Sequence, residues 1–236
     1  MCATCGCGTD SDHGHDHSVA TVSLEQRVLA KNDHLAGHNR QWLAERDLLA
    51  INLMSSPGSG KTTLLERTAR ELPVHVIEGD QETLFDAERI QATGRPAVQI
   101  NTGAGCHLDA SMVADALRQL DPPAGGVVLI ENVGNLVCPA LFDLGEHSRV
   151  VITSVTEGAD KPLKYPHMFR TADLVLLNKI DLLPYVEFDV DRFTQAVAVV
   201  NAGAGLLRVS ATRGDGLDEW LDWLQAARRD VVAPSH

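Results

Sequence analysis

Nine residues, Ser55-Ser56-Pro57-Gly58-Ser59-Gly60-Lys61-Thr62-Thr63, stand between an apolar run at 48–54 and the helix-forming Leu64-Leu65-Glu66-Arg67. An apolar strand, a glycine-rich turn and a helix in that order constrain the chain to an α/β layering. The N–H groups of such a turn and the positive end of the helix behind it form a cradle for polyphosphate. Gly58, Ser59 and Gly60 supply the turn, Lys61 reaches the β- and γ-phosphates, and Thr62, followed by Thr63, offers a hydroxyl to Mg²⁺. Ser55 occupies the place of the first glycine in G-x-x-x-x-G-K-[ST], so the competing reading is an incidental glycine-rich βα turn.

A second segment favours the nucleotide. Asn178-Lys179-Ile180-Asp181 closes the apolar run Leu174-Val175-Leu176-Leu177, and Ser210-Ala211-Thr212 follows Leu206-Leu207-Arg208-Val209. A carboxylate in the plane of a base accepts from guanine N1–H and the exocyclic amine, whereas adenine leaves that acceptor unpaired at a cost. Asp181 is the expected base reader, and the small Ser210 and Ala211 let the backbone approach the base. The order of the three segments reads as a GTP-binding domain; Asp181 argues against an adenine-specific P-loop kinase.

The alternation along the chain agrees. Apolar strand candidates lie at 48–54, 74–78, 97–100, 127–131, 150–155, 174–178 and 206–210, with helical segments at 62–71, 80–93, 111–120, 191–201 and 217–229. Continuously apolar strands belong to sheets covered on both faces. The expected fold is an α/β doubly wound, mostly parallel sheet with ligand at the carboxyl ends of its strands. Ahead of it, Leu24, Val28, Leu35 and Trp42 are spaced for an amphipathic helix. The expected organisation is a Cys/His tail at 1–20 (disordered without metal), a leading helix at 21–46, a nucleotide-binding domain at 47–230 and a disordered terminus at 231–236.

Charge narrows the partners. Lys and Arg number 20 against 32 Asp and Glu, a net −12, and aromatic residues make up only 4%. Neither nucleic acid nor an anionic membrane suits that surface. No apolar run approaches about 18 residues and no signal-like sequence opens the chain, so a cytoplasmic protein is expected.

Two acidic residues sit where a magnesium site needs them: Asp80 after Val76-Ile77-Glu78-Gly79, and Glu131 at the end of Val127-Val128-Leu129-Ile130. Mg²⁺ takes one or two carboxylates and keeps several waters. Helix N-capping is the alternative for Asp80. Gly134 follows Glu131 closely enough to donate its N–H to a γ-phosphate. No glutamine is placed to orient the attacking water, which predicts slow hydrolysis accelerated by a partner or by dimerisation.

Five cysteines in such a chain read as metal ligands or inert thiols, not disulfides. Cys2, Cys5 and Cys7 are close enough to converge on one ion, Ni²⁺ if planar and Zn²⁺ if tetrahedral. His13, His15 and His17 offer a weaker imidazole site or are simply a solvated linker. Cys106-His107 and Cys138 form a second candidate, both on loops leaving the carboxyl edge of the sheet, with water or a second subunit as fourth ligand.

With these motifs in hand, the sequence resembles the HypB-type nickel-incorporation GTPases of [NiFe]-hydrogenase maturation. The likeness runs through the terminal Cys-Ala-Thr-Cys-Gly-Cys and Asn32, Asp33, Asn39 and Arg40. It continues in Ser-Ser-Pro-Gly-Ser-Gly-Lys-Thr, Glu-Gly-Asp at 78–80, Gly-Cys-His-Leu-Asp at 105–109, Glu-Asn-Val-Gly-Asn-Leu-Val-Cys-Pro at 131–139 and Asp-Lys-Pro-Leu-Lys-Tyr-Pro at 160–166. It implies a GTPase that delivers Ni²⁺ to the hydrogenase large subunit, works with a HypA-type metallochaperone and dimerises on GTP. Lys61, Thr62, Asp80 and Glu131 are the expected catalytic set. A urease-accessory (UreG-like) GTPase is the competing enzyme and a nickel-storage protein the competing class.

Overall fold

The computed structural model describes residues 16–80, 85–103 and 105–232, with backbone alone for 16–25, 85 and 232. In chain order the elements are α1 (Asp16–Ala44), β1 (Leu49–Ser55), α2 (Lys61–Glu71), β2 (Val74–Asp80), α3 (Phe85–Gln91), β3 (Ala97–Asn101), α4 (Ala110–Leu120) and β4 (Val127–Glu131). After these come β5 (Ser148–Ser154), α5 (Lys161–Lys164), α6 (Pro166–Arg170), β6 (Leu174–Asn178), α7 (Val190–Val200), β7 (Gly205–Arg208) and α8 (Leu217–Val232).

The seven strands form one sheet in the order β3-β2-β4-β1-β5-β6-β7, every neighbouring pair parallel. β1 is central because it has no polar face. Leu49, Ile51 and Leu53 pack with Leu64, Leu65 and Trp220 on one side. Ala50 joins Leu43, Val113, Leu117 and Leu144 on the other, and Met54 meets Val151, Phe169 and Phe193. Each large side chain so buried contributes roughly 1.5–3 kcal/mol. The chain fills one flank through β2, β3 and β4, then the other through β5, β6 and β7. That reversal opens a crevice at the carboxyl end of β1.

All seven expected strands are present, within two residues at each end. The differences are in the helices. α1 begins at Asp16, so the helix reaches into the stretch expected to be disordered tail. The helix expected at 80–93 is the shorter α3, and Asp80 ends β2, which removes it from a helix cap. α5, α6 and the turns Cys138–Leu141 and Ile180–Tyr185 span four to six residues each, too few to leave a periodic signature. Among the described residues, no helix is long and apolar enough to cross a membrane.

Candidate functional site

β1 delivers the chain to Ser55 at the crevice, and α2 opens at Lys61. Gly58 and Gly60 have φ of 72° and 97°, a left-handed backbone open to glycine. At Gly60 a side chain would also collide with the Asn178 amide. The buried Lys61 Nζ donates to Ser55 Oγ at 2.9 Å and lies 3.9 Å from Glu131 Oε1. Burial pushes its ammonium below the ordinary lysine range, opposed chiefly by the Glu131 charge. Serine in place of the usual glycine thus supplies the resting acceptor for this lysine.

Four carboxylates gather beside it. Glu78 pairs in register with Glu131 across β2 and β4, Asp80 follows, and α3 adds Asp86. Thr62 Oγ1 lies 3.0 Å from Glu131 Oε1 and 3.1 Å from Asp86 Oδ2, more acceptors than one hydroxyl hydrogen serves. Burial, then the neighbouring charges, raises Glu78 to about 8. Burial raises Glu131 to about 7 against the pull of Lys61. The Oε2 atoms of both are buried without a hydrogen-bond partner. Orphaned acidic oxygens next to a threonine hydroxyl are a hard-donor set that fits Mg²⁺. With Gly58 to Thr63, Arg89, Gly134 and Lys179 they line a cavity of about 550 Å³. At Gly134, an added Cβ would stand 3.2 Å from Pro57 atoms, so this backbone abuts the phosphate loop.

Asn178 locks the other side. Its Nδ2 donates to Ser59 O at 2.9 Å, and its Oδ1 accepts from Lys179 N at 2.8 Å and Ala211 N at 3.0 Å. One buried amide therefore ties the phosphate loop to both later segments. Lys179, at φ 62°, donates from Nζ to Gly58 O at 2.6 Å. Asp181 Oδ1 accepts from Ser210 Oγ at 2.7 Å, so Ser210 orients the carboxylate as well as staying small.

Cys106, His107 and Cys138 come together although 32 residues of chain separate the thiols. The three ligand atoms lie within 4.8 Å of one another. The sulfurs are 2.8 Å apart, and Cys106 Sγ is 3.6 Å from His107 Nδ1. The Cys106 contact and burial hold the Cys138 thiol above its ordinary range, and burial lowers His107. His107 stacks on Phe142 at 3.8 Å between ring centroids. Asn135 Oδ1 accepts from Cys138 N at 3.2 Å and aims that turn. Asn132 Oδ1 accepts from Leu108 N at 3.2 Å, which joins the residue beside Glu131 to the one beside His107.

Cys2, Cys5, Cys7, His13 and His15 lie outside the described residues, and of His17 only the backbone is described. Sequence reasoning missed Asp86 and, as a site residue, Glu78, both of which line the cavity. The acidic Glu-Gly-Asp at the end of β2 was the available signal for Glu78.

A parallel sheet with this loop, cavity and base-side brace defines a P-loop nucleotide-binding protein. The protein-family description "CobW/HypB/UreG, nucleotide-binding domain" matches residues 49–208. The hydrogenase maturation factor HypB of Escherichia coli K12 is 56% identical over 211 residues, covering 88% of this chain and 73% of the relative. HypB of Azotobacter vinelandii is 58% identical over 209 residues, covering 87% and 69%. Helicobacter pylori HypB, crystallised in complex with nickel, superposes with a TM-score of 0.81 at 37% identity, covering 87% of this chain and 99% of that one. Archaeoglobus fulgidus HypB gives 0.79 at 41%, covering 84% and 99%. The chain belongs to the CobW/HypB/UreG family of nucleotide-binding proteins, within it to the HypB hydrogenase maturation factors.

Proposed function

We propose that the protein is a GTP-hydrolysing metallochaperone that delivers Ni²⁺ to the large subunit of a [NiFe]-hydrogenase. Lys61 exchanges its Ser55 contact for the β- and γ-phosphate oxygens, and Asp181, set by Ser210, reads guanine. Thr62, Asp80 and Glu131 would hold Mg²⁺, which when bound supplies positive charge at the transferring phosphoryl group. Cys106, His107 and Cys138 hold the cargo, Ni²⁺ or in its place Zn²⁺, and Cys2, Cys5 and Cys7 form a separate nickel site.

The observation that carries this reading is one short stretch of chain: Glu131 at the cavity, Gly134 against the phosphate loop and Cys138 in the thiol cluster. Nucleotide state thereby acts on cargo. A GTP-dependent homodimer completes the reading. Val137 and Leu141, beside Cys138, are exposed apolar side chains that a second copy would cover, and that copy would supply the missing ligand. Metal arrives from a HypA-type metallochaperone in the cytoplasm. The relatives' names favour hydrogenase maturation over urease assembly or storage. The test is nickel loading of apo-hydrogenase with GTP or a non-hydrolysable analogue. Loading that requires hydrolysis supports the proposal; equal loading without nucleotide overturns it.

A further inference from the structure

Neither the cavity nor the thiol cluster uses two imidazoles on α1. His34 and His38 are exposed one helical turn apart, the spacing at which side chains meet on a helix face. Their Nε2 atoms are 3.2 Å apart, with the rings edge to face at 4.7 Å between centroids. An ion about 2.05 Å from each nitrogen would subtend an angle of about 100°, between the right angle of octahedral or square sites and the tetrahedral value. At that separation one ion reaches both nitrogens once the rings turn about their side-chain bonds. Imidazole suits the borderline divalent ions Ni²⁺, Zn²⁺ and Cu²⁺. The groove beside the pair also presents Glu45 and Arg118, but Gln41 donates to Glu45 and Asp115 pairs Arg118.

We propose that His34 and His38 form a further binding site for a borderline divalent cation, held by the two Nε2 atoms with water in the remaining positions. Two exposed nitrogen donors without a thiolate bind more weakly than the cysteine cluster and exchange faster, as suits a transfer position. The test uses Zn²⁺ alone as a diamagnetic probe and ¹⁵N-histidine NMR on the full chain. Once the cysteine sites saturate, the Nε2 signals of His34 and His38 should shift together. In His38→Gln, the His34 signal should need at least about tenfold more zinc, the loss of effective concentration from its partner. Signals unmoved at tenfold molar excess of zinc, or an unaltered His34 response in His38→Gln, overturn the site. Both positions are exposed, so the substitutions leave the fold intact.

A separate set of contacts bears on the thiol cluster. Asn32 Oδ1 accepts from Ala110 N at 2.9 Å while its Nδ2 donates to Asp143 O at 2.8 Å. Asn39 Nδ2 donates to Ala110 O at 2.8 Å and to Leu144 O at 2.9 Å. Each buried amide thus touches both the segment after Cys106-His107 and the segment after Cys138. Arg40 adds a two-pronged ion pair to Asp143, at 2.9 and 2.8 Å. A Cβ on Gly145 would stand 2.6 Å from both Ala36 O and Asn39 Cβ, so loop and helix meet backbone to backbone.

We infer that Asn32 and Asn39 are positioning residues that set the distance between the two ligand-bearing loops, which makes α1 a support of the metal cluster. This rests on Cys106, His107 and Cys138 holding metal. The experiment measures Ni²⁺ affinity and GTP affinity in the full chain with Cys2, Cys5 and Cys7 changed to serine, adding Asn39→Ala or Asn32→Ser, which gives up the bond to Asp143 without burying a charge. The expected result is a 10- to 100-fold fall in nickel affinity, the range for groups that orient metal ligands, with GTP affinity unchanged. Unaltered nickel affinity, or a parallel loss of GTP affinity in both variants, overturns the inference. Nickel binding that survives Cys106→Ser and Cys138→Ser together overturns the reading beneath it instead.

Discussion

At the nucleotide cavity, Lys61, Glu78 and Glu131 are buried on strand ends and at a helix start, placed by pairing in the middle of the sheet. At the thiol cluster, Cys106, His107 and Cys138 are half-buried on loops, held by asparagine side chains reaching in from elsewhere. The first site offers hard oxygen donors in a rigid frame, the second soft donors whose spacing depends on where two loops stop. A rigid site is suited to holding a phosphate chain in one geometry. A loop-borne site is suited to changing its grip, because small shifts of a loop move a ligand atom without disturbing the core.

That contrast breaks first at Lys61. Lys61→Ala removes a charge aimed at the transferring phosphoryl group and should lower GTP hydrolysis by about 10³-fold, with nickel binding at the cluster intact. Near-normal turnover, measured as phosphate release, would mean the phosphate loop had been misplaced. Asp181→Asn exchanges an acceptor for a donor facing guanine and should weaken GTP by about 10²-fold while improving XTP; nucleotide titrations of both read the outcome. On the soft side, Cys138→Ala should cost the cluster at least the roughly 10²-fold that supporting groups alone are worth. GTP affinity should stay put. A variant losing both ligands together would show that the two sites are one structural unit.

How far the two regions were legible in sequence follows the same division. β1, β4 and β6 are runs of apolar residues, and a strand covered on both faces announces itself that way. Lys61, Thr62 and Asp181 sit in motifs with fixed spacing. Cys106-His107 and Cys138 were read as partners because each follows a strand on the same edge. Glu78 was passed over as a site residue because its closeness to Glu131 is a property of β2–β4 register, which no local pattern encodes. Asp86 depends on where α3 begins, and that helix starts five residues later than its periodicity suggested. Asn178 was legible as a member of Asn-Lys-x-Asp, but its bonds to Ser59 and Ala211, 119 and 33 residues away, were not. Asn32 and Asn39 act on loops 71 to 111 residues distant. Long-range amide bonds of this kind leave no trace in composition or spacing.

The smallest expected effect sharpens the comparison most, since it asks whether the rigid site moves the soft one. Gly134 rests against Pro57 of the phosphate loop, and Cys138 follows on the same stretch. Asn132, beside Glu131, holds Leu108 next to His107 at 3.2 Å. A γ-phosphate drawing on the Gly134 N–H would therefore reposition both ligand-bearing segments. Allosteric couplings of about 1–3 kcal/mol correspond to roughly 5- to 150-fold in affinity, and the lower part of that range is expected because Asn32 and Asn39 restrain the far ends of both loops. Linkage requires Ni²⁺ to change the ratio of GTP to GDP affinity by the same factor. The check is nickel titration of the full chain with Cys2, Cys5 and Cys7 changed to serine, loaded with GDP or a non-hydrolysable GTP analogue. It is paired with nucleotide titration with and without nickel. Equal nickel affinities in the two states would leave the cavity and the cluster as neighbours without communication. Unequal affinities that persist when Gly134 is replaced by proline, which has no N–H to offer, would send the coupling through Asn132 and Leu108 instead.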